Sequence, residues 1–316
     1  MPIANHPTPW LAGAISDLPT PFDDSDRIDY AAFERLCERQ IEAGTKAIVV
    51  AETAGEMSTL TMAEHEAVVR AAVQTARDRI RVIAGAGSNA TSHAIELTRL
   101  AELAGADAIL SVVPYYNKPM QAGLLAHFTA VADCTELPII LHDAPSRTVR
   151  GLADETIVRL AASPQFIGLK DGSGDVTRPV RLKTLLRAEF RLLSGDDTTL
   201  LPFLLNGGDG CISGTATIAP DLCHDLTESC RHGRLRTALG IAERLAPLTA
   251  SLVPQTPAAL KYALSLFDPT SPRVRLPMVE LTGEEKTEVA HAIAAIGDEA
   301  GLREAERRLR LELSRL

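Results

Sequence analysis

The chain alternates, eight times over, between a short apolar run and a longer amphipathic segment. The apolar runs are residues 11–15, 47–50, 81–85, 107–111, 138–141, 166–170, 190–193 and 210–213. Between them the spacing predicts helices over 30–43, 61–76, 91–104, 119–134, 154–161, 176–186 and 200–205. Phe33, Leu36, Cys37 and Ile41 share one stripe of the first helix, with Asp29 as its cap and Gly44 as its stop. Thr61 and Glu64 are spaced as a capping box. Strands this short and this apolar are buried on both faces, which calls for a parallel sheet covered by helices. Eight such units in roughly 230 residues suit a closed (β/α)8 TIM barrel. A doubly wound open sheet is the alternative, but no Gly-x-Gly-x-x-Gly follows the first strand. Gly85-Ala86-Gly87 lacks the third glycine and reads as a tight turn.

Past Thr215 the pattern turns helical, over 219–230, 235–245, 257–266 and 283–294, with an Arg-, Glu- and Leu-rich segment at 301–316. Residues 10–232 are assigned to the barrel and 233–316 to a small C-terminal helical appendage. At 316 residues the chain is long enough for one large core. A net charge of −9 without a basic cluster argues against nucleic acid and against an anionic membrane surface. No apolar run approaches a membrane span, and residues 1–10 do not read as a signal peptide. Cys37, Cys134, Cys211, Cys223 and Cys230 fit neither a zinc site nor a disulfide frame. A reduced cytoplasmic protein acting on small molecules is the expectation.

In a barrel of this kind the chemistry collects where the strands end. The second strand delivers Thr53 and Glu56, the fourth Tyr115 and Tyr116, and the fifth His142, Asp143 and Arg147. The sixth delivers Lys170, the seventh Ser194, Gly195 and Asp196, and the eighth Ile212 and Ser213. Lys170 ends a buried strand and is followed by Asp171-Gly172-Ser173-Gly174. A lysine desolvated there loses its proton near neutral pH and attacks a carbonyl carbon to form a Schiff base. An ordinary strand-end lysine reaching solvent is the alternative. A single amine among hydroxyls, an imidazole and a guanidinium suits carbonyl chemistry on an acid. Arg147 also reads as a turn salt bridge, the tyrosines as packing of the barrel mouth or a subunit contact, and His142 as a structural histidine. No metal is expected, because no second histidine sits at ligand spacing from His142.

These residues resemble the dihydrodipicolinate synthase / N-acetylneuraminate lyase family of class I aldolases, from about Trp10 to Pro277. The resemblance rests on Pro114-Tyr115-Tyr116-Asn117-Lys118-Pro119, Pro145-Ser146-Arg147-Thr148, Ile167-Gly168-Leu169-Lys170 and Leu193-Ser194-Gly195-Asp196-Asp197. The second and fourth pieces point to the synthase branch. The resemblance implies that Lys170 forms an imine with pyruvate or another 2-oxo acid. The derived enamine then attacks L-aspartate 4-semialdehyde, and the product cyclises to 4-hydroxy-tetrahydrodipicolinate. No cofactor beyond that covalent imine is implied. Tyr116 matches the proton-relay tyrosine inside the protomer, and Tyr115 the one that reaches a neighbouring subunit. Thr53 matches the relay threonine and Arg147 the residue holding the second substrate's carboxylate. Gly195 and Ile212 match contacts to the bound 2-oxo acid, and a homotetramer built as a dimer of dimers is implied.

The chain departs from the family pattern at several of these places. Glu52-Thr53-Ala54-Gly55-Glu56 stands where the family carries Gly-Thr-Thr-Gly-Glu, so Ala54 replaces a threonine that helps seat the 2-oxo acid carboxylate. His142-Asp143 stands where the synthase carries Tyr-Asn, exchanging a phenol for an imidazole of much lower proton affinity. Gly214 follows the eighth strand where the synthase carries a larger residue. The positions matching the lysine-inhibition site are Met57, Ser58, Met62, His65, Asn89, His93 and Tyr115, with His93 in place of a carboxylate. Insensitivity to lysine is therefore expected. Ala54, His142 and Asp143 also leave open a 2-keto-3-deoxy-sugar-acid aldolase or dehydratase, or a deaminase of a cyclic imine acid. A non-catalytic barrel of the same family is the remaining reading. The sequence assigns no role to Glu52.

Overall fold

The computed structural model describes residues 8–253 and 256–296. Eight parallel strands close on themselves in chain order, with the first paired to the last. They are β1 Gly13–Asp17, β2 Ala47–Val50, β3 Arg81–Gly85, β4 Ala108–Val112, β5 Ile139–Asp143, β6 Phe166–Asp171, β7 Arg191–Ser194 and β8 Gly210–Ser213. The fold is the expected (β/α)8 barrel. Its outer helices are α1 Tyr30–Glu42, α2 Met62–Ala76, α3 Thr91–Ala104, α4 Gln121–Ala132, α5 Pro145–Thr148, α6 Asp154–Ala161, α7 Arg178–Lys183, α8 Leu200–Leu205, α9 Gly214–Ile218 and α10 Pro220–Arg231. Three more follow: α11 Leu235–Leu252, α12 Ala258–Ser265 and α13 Gly283–Ile296. The segment 301–316 lies outside the described residues. Both expected caps form. Asp29 accepts from the Ala32 amide, and Thr61 and Glu64 exchange hydrogen bonds as a full capping box.

Alternation along the strands sorts the side chains into two cores. Ile15, Ala47, Val49, Leu110, Ile140, Ile167, Leu193 and Ile212 belong to the cluster that fills the barrel. Ile48, Val50, Ile109, Leu141, Leu169 and Leu192 belong to the larger cluster formed with the surrounding helices. The same alternation decides which polar residues at the strand ends face inward. On β1 the inward residue Ile15 is followed two positions later by Asp17. On β5 Ile140 is followed by His142, and Asp143 takes the opposite face.

Strand β6 needs a correction to reach the same parity. Phe166 pairs with Ile139 and Gly168 with Ile140, so Ile167 is an extra residue and the register slips there. A bulge of this kind reverses the facing of everything after it. Lys170 thereby comes into register beside His142 and shares the inner face with it. Gly168 is required at the bulge. A Cβ there would lie 2.9 Å from the Arg191 carbonyl oxygen and 3.1 Å from Leu11 Cδ2.

The C-terminal helices are fastened to the end of the barrel where the strands finish. Lys261 of α12 is buried and forms an ion pair with the buried Glu56, six residues beyond β2. Its ammonium also donates to the Arg273 carbonyl at 2.8 Å and lies 3.9 Å from the centre of the Phe22 ring. Arg275 stacks over the same ring at 4.2 Å and pairs with Glu64 of the capping box at 2.6 Å. The loop carrying Glu52 and Thr53 is thus clamped from outside the barrel.

Candidate active site

A cleft of about 580 Å³ opens at this end of the barrel. Its floor is made by Asp17 of β1, His142 of β5, Lys170 of β6 and Ile212 of β8, all on the inner face of their strands. Thr53 and Ala54 line it from the loop after β2, Arg147 from the short helix α5, and Gly195 to Thr198 from the loop after β7. Leu252, Val253, Thr256 and Leu260 complete one wall, so the C-terminal helices form part of the cleft. Gly195 sits against the lysine stem, where a Cβ would come within 3.0 Å of Lys170 Cγ.

Four titratable groups meet at the floor, where Glu52 touches the lining residues Lys170 and His142 without itself lining the cleft. Lys170 Nζ donates to Asp17 Oδ2 at 2.8 Å and to Glu52 Oε2 at 3.2 Å. Glu52 Oε1 lies 2.8 Å from His142 Nδ1. All four are almost fully enclosed: Asp17 is 5% exposed, Lys170 4%, His142 3% and Glu52 2%. An ionised carboxylate only accepts hydrogen bonds, so Nδ1 carries the hydrogen and Nε2 keeps its lone pair. The β1 end is fixed as well, for Thr217 Oγ1 donates to the Asp17 carbonyl at 2.9 Å.

The protonation states follow from burial set against charge. Burial alone would strip the proton from Lys170. The carboxylates of Asp17 and Glu52 outweigh it and hold the ammonium above its ordinary range. Burial raises the Asp17 carboxyl; Lys170 pulls it back and the Glu52 charge raises it again, leaving it at about 7. Burial also favours protonation of Glu52, but Lys170 and His142 keep it well below the usual carboxylate range. His142 is lowered, chiefly because burial disfavours the imidazolium. At neutral pH the floor therefore holds an ammonium, an ionised Glu52, a neutral imidazole and an Asp17 poised near its midpoint. The sequence led us to expect a desolvated lysine that loses its proton near neutral pH. Two carboxylates in contact with Nζ reverse that expectation.

The sequence-derived candidates separate into three groups. Lys170, His142, Thr53, Ala54, Arg147, Gly195 and Ile212 are brought together at the cleft. Asp143 is not. It faces outward from β5, where Oδ2 accepts from the buried Arg178 guanidinium at 2.7 Å and Oδ1 from the Leu152 amide at 3.1 Å. Strand parity makes Asp143 a structural anchor for Arg178, which also binds Asp171 and Asp154. Tyr115 and Tyr116 are absent from the lining of their own chain's cleft. Tyr116, which the resemblance assigns to its own protomer, has a side chain that is 89% exposed in this chain. It also has a left-handed φ of 72°. Among the lysine-site positions, the His93 ring is engaged by its own neighbours, Ser88 Oγ at 3.1 Å and Met62 Sδ at 3.0 Å.

Two residues of the floor escaped the sequence reading. Asp17 was missed because the first strand was ended at Ile15, two residues early. Carrying the inward alternation one step past Ile15 finds it. Glu52 lies just beyond β2, after Ala51 takes a left-handed φ of 51°. Strand parity breaks there, and no periodic signal reports where the carboxylate goes. Among the described residues, no three of the His, Cys, Asp and Glu side chains are grouped to hold a metal ion. Nor is any helix there long and apolar enough to cross a membrane.

Comparison with known proteins gives one consistent outcome. The profile of the dihydrodipicolinate synthetase family matches residues 10–296. The 4-hydroxy-tetrahydrodipicolinate synthase of Acidiphilium cryptum (strain JF-5) is 46% identical over 286 residues, spanning 90% of this chain and 98% of that protein. That of Hyphomonas neptunium (strain ATCC 15444) is 45% identical over 289 residues, spanning 90% and 98%. Among solved structures, dihydrodipicolinate synthase from Acinetobacter baumannii complexed with pyruvate superposes with a TM-score of 0.87 at 39% identity, covering 90% of this chain and 99% of that one.

Proposed function

The chain belongs to the dihydrodipicolinate synthase family of class I aldolases, and we propose that it is a 4-hydroxy-tetrahydrodipicolinate synthase. It condenses pyruvate with L-aspartate 4-semialdehyde through an imine on Lys170. The observation that carries this reading is the placement of Lys170. It is the one amine among the described residues lining the cleft, it is the last inward-facing residue of β6, and it is in register with His142. Nζ attacks C2 of the 2-oxo acid, water leaves, and the protonated imine draws electrons from the adjacent methyl group. Loss of a methyl proton gives the enamine, which adds to the aldehyde before the product cyclises. His142 Nε2 is the base for that proton, oriented by Glu52, with Thr53 relaying protons beside it. Gly195, Ile212 and Ala54 bound the space of the 2-oxo acid. Arg147 has no ion-pair partner among the described residues and receives the carboxylate of the incoming aldehyde. No cofactor takes part beyond the covalent imine.

We further propose a homotetramer built as a dimer of dimers. The exposure of Tyr116 supports giving it, rather than Tyr115, the role of the tyrosine handed to a neighbouring copy. The location proposed is the cytoplasm.

Borohydride trapping with pyruvate, read by mass spectrometry and followed by turnover of aspartate semialdehyde, tests the reading. A pyruvate adduct on Lys170 with rapid turnover is the expected result. An adduct with negligible turnover would move the assignment to a second reading: a 2-keto-3-deoxy-sugar-acid aldolase or dehydratase, or a cyclic imine acid deaminase. The Glu52–His142 pair supports that alternative, because a buried imidazole base also serves elimination. No adduct at all would leave a non-catalytic barrel.

A further inference from the structure

An imine cannot form on an ammonium, and Lys170 rests as one between two carboxylates. A group in contact with Nζ must take its proton before attack. The carbonyl oxygen of the 2-oxo acid must then gain two protons to leave as water. We propose that Asp17 is the catalytic residue for this exchange, shuttling protons between Lys170 Nζ and the departing oxygen during imine formation. The proposal rests on the Schiff-base reading above.

Geometry separates Asp17 from the other carboxylate. Glu52 is committed on both oxygens, Oε1 to His142 and Oε2 to Lys170. Asp17 makes the shorter contact to Nζ, at 2.8 Å, through Oδ2 alone. Its Oδ1 is buried and has no hydrogen-bond partner among the described residues, although Asp17 lines the cleft. A cleft-lining carboxylate with one oxygen on the amine and the other uncommitted can take a proton from nitrogen and release it to a substrate oxygen bound beside the amine. Burial raises its carboxyl to about 7, so it holds a proton more firmly than an ordinary carboxylate does.

The steps balance without an outside reagent. Asp17 takes a proton from the ammonium, and the free amine adds to the carbonyl carbon, breaking the C=O π bond. The protonated Asp17 gives its proton to the new oxyanion. It next removes a proton from the carbinolamine nitrogen and delivers it to the hydroxyl, which leaves as water while the nitrogen lone pair forms the C=N bond. The net change is ammonium plus ketone to protonated imine plus water, with Asp17 again a carboxylate. The groups facing Asp17 through all of this are Lys170 on β6 and Glu52 after β2, with His142 on β5 beyond Glu52.

The test is rapid-mixing borohydride trapping of pyruvate on Lys170, timed by mass spectrometry across about pH 5 to 9, for wild type, Asp17→Asn and Asp17→Glu. The two roles open to Asp17 predict opposite signs. If it only pairs with the ammonium, Asp17→Asn releases free amine and trapping is unchanged or faster. If it shuttles protons, trapping slows about 100-fold or more in Asp17→Asn, within the usual range for a lost acid–base group. The wild-type rate then shows an inflection near neutral pH that the variant lacks, and Asp17→Glu recovers part of the rate. An Asp17→Asn enzyme that traps as fast as wild type overturns the proposal while leaving the Schiff base standing. Wild type that never traps overturns both. Should Asp17→Asn fail to fold, the wild-type profile decides: a rate without an inflection near neutrality rejects the shuttle.

Discussion

At the scale of single residues, the floor of the cleft divides one task between two carboxylates. Asp17 and Glu52 both touch Lys170, yet burial and partners drive their proton affinities apart, one to about 7 and the other well below the carboxylate range. Groups separated in this way take different roles. Glu52 stays ionised and serves His142, whose Nδ1–H it accepts at 2.8 Å. Glu52→Gln should therefore leave imine formation largely intact and impair the later proton transfer. We expect kcat to fall about 100-fold while pyruvate trapping on Lys170 persists. Equal losses in trapping and turnover would instead place Glu52 in imine formation. The His142 limb of the kcat profile should lie below the ordinary imidazole value of about 6.5, since burial disfavours the cation.

At the scale of elements, one bulge and one latch set the geometry. The bulge at Ile167 turns Lys170 inward, and Gly168 lets β6 approach β7 closely enough to make it. Gly168→Ala drives a methyl group into the Arg191 carbonyl, which is backbone and cannot swing aside. A loss of about 1–3 kcal/mol in denaturant unfolding is expected, with slower trapping from a misaimed lysine. The latch is the buried Lys261–Glu56 pair. Lys261→Met leaves a buried carboxylate without its cation and should cost about 3–5 kcal/mol; Glu56→Gln/Lys261→Met should recover much of that loss. Burial, opposed by Glu56, lowers the Lys261 ammonium to about 8. Between about pH 8 and 10.5 the unfolded chain then binds more protons at this lysine, so its contribution to stability rises with pH there. The double variant loses that rise. Legibility in the sequence follows the same divide. Hydrophobic period and capping residues revealed the eight units and the strand-end lysine, because those signals are local. The inward turn of Lys170 depends on a one-residue slip between β5 and β6. The Glu52 contact depends on a left-handed Ala51 and a clamp from α12, more than 200 residues away. Neither leaves a period to read, and Asp143 was misassigned because facing, not adjacency to His142, decides what enters the cleft.

At the scale of the whole molecule, the unanswered residue is Tyr116. A large aromatic side chain that is 89% exposed and held at a left-handed φ of 72° carries a conformational cost without burial in its own chain to offset it. Transfer to the cleft of a neighbouring copy accounts for both facts. In a two-fold pair each chain would then own one lysine and lend one tyrosine. Mixing two inactive variants tests this directly. Lys170→Ala homodimers have no nucleophile, and Tyr116→Ala homodimers have no lent tyrosine. In a mixed pair, the Tyr116→Ala chain keeps its Lys170 and receives an intact Tyr116 from its partner, so one of its two sites is whole. Random reassortment makes half the pairs mixed, and one whole site in each gives about a quarter of wild-type activity. If Tyr116 serves its own chain, the mixed pair has no whole site and activity stays at the level of the separate variants. Light scattering of the same mixtures fixes whether the restored activity travels with a tetramer of the proposed kind, and gradual recovery over time would report exchange between pairs.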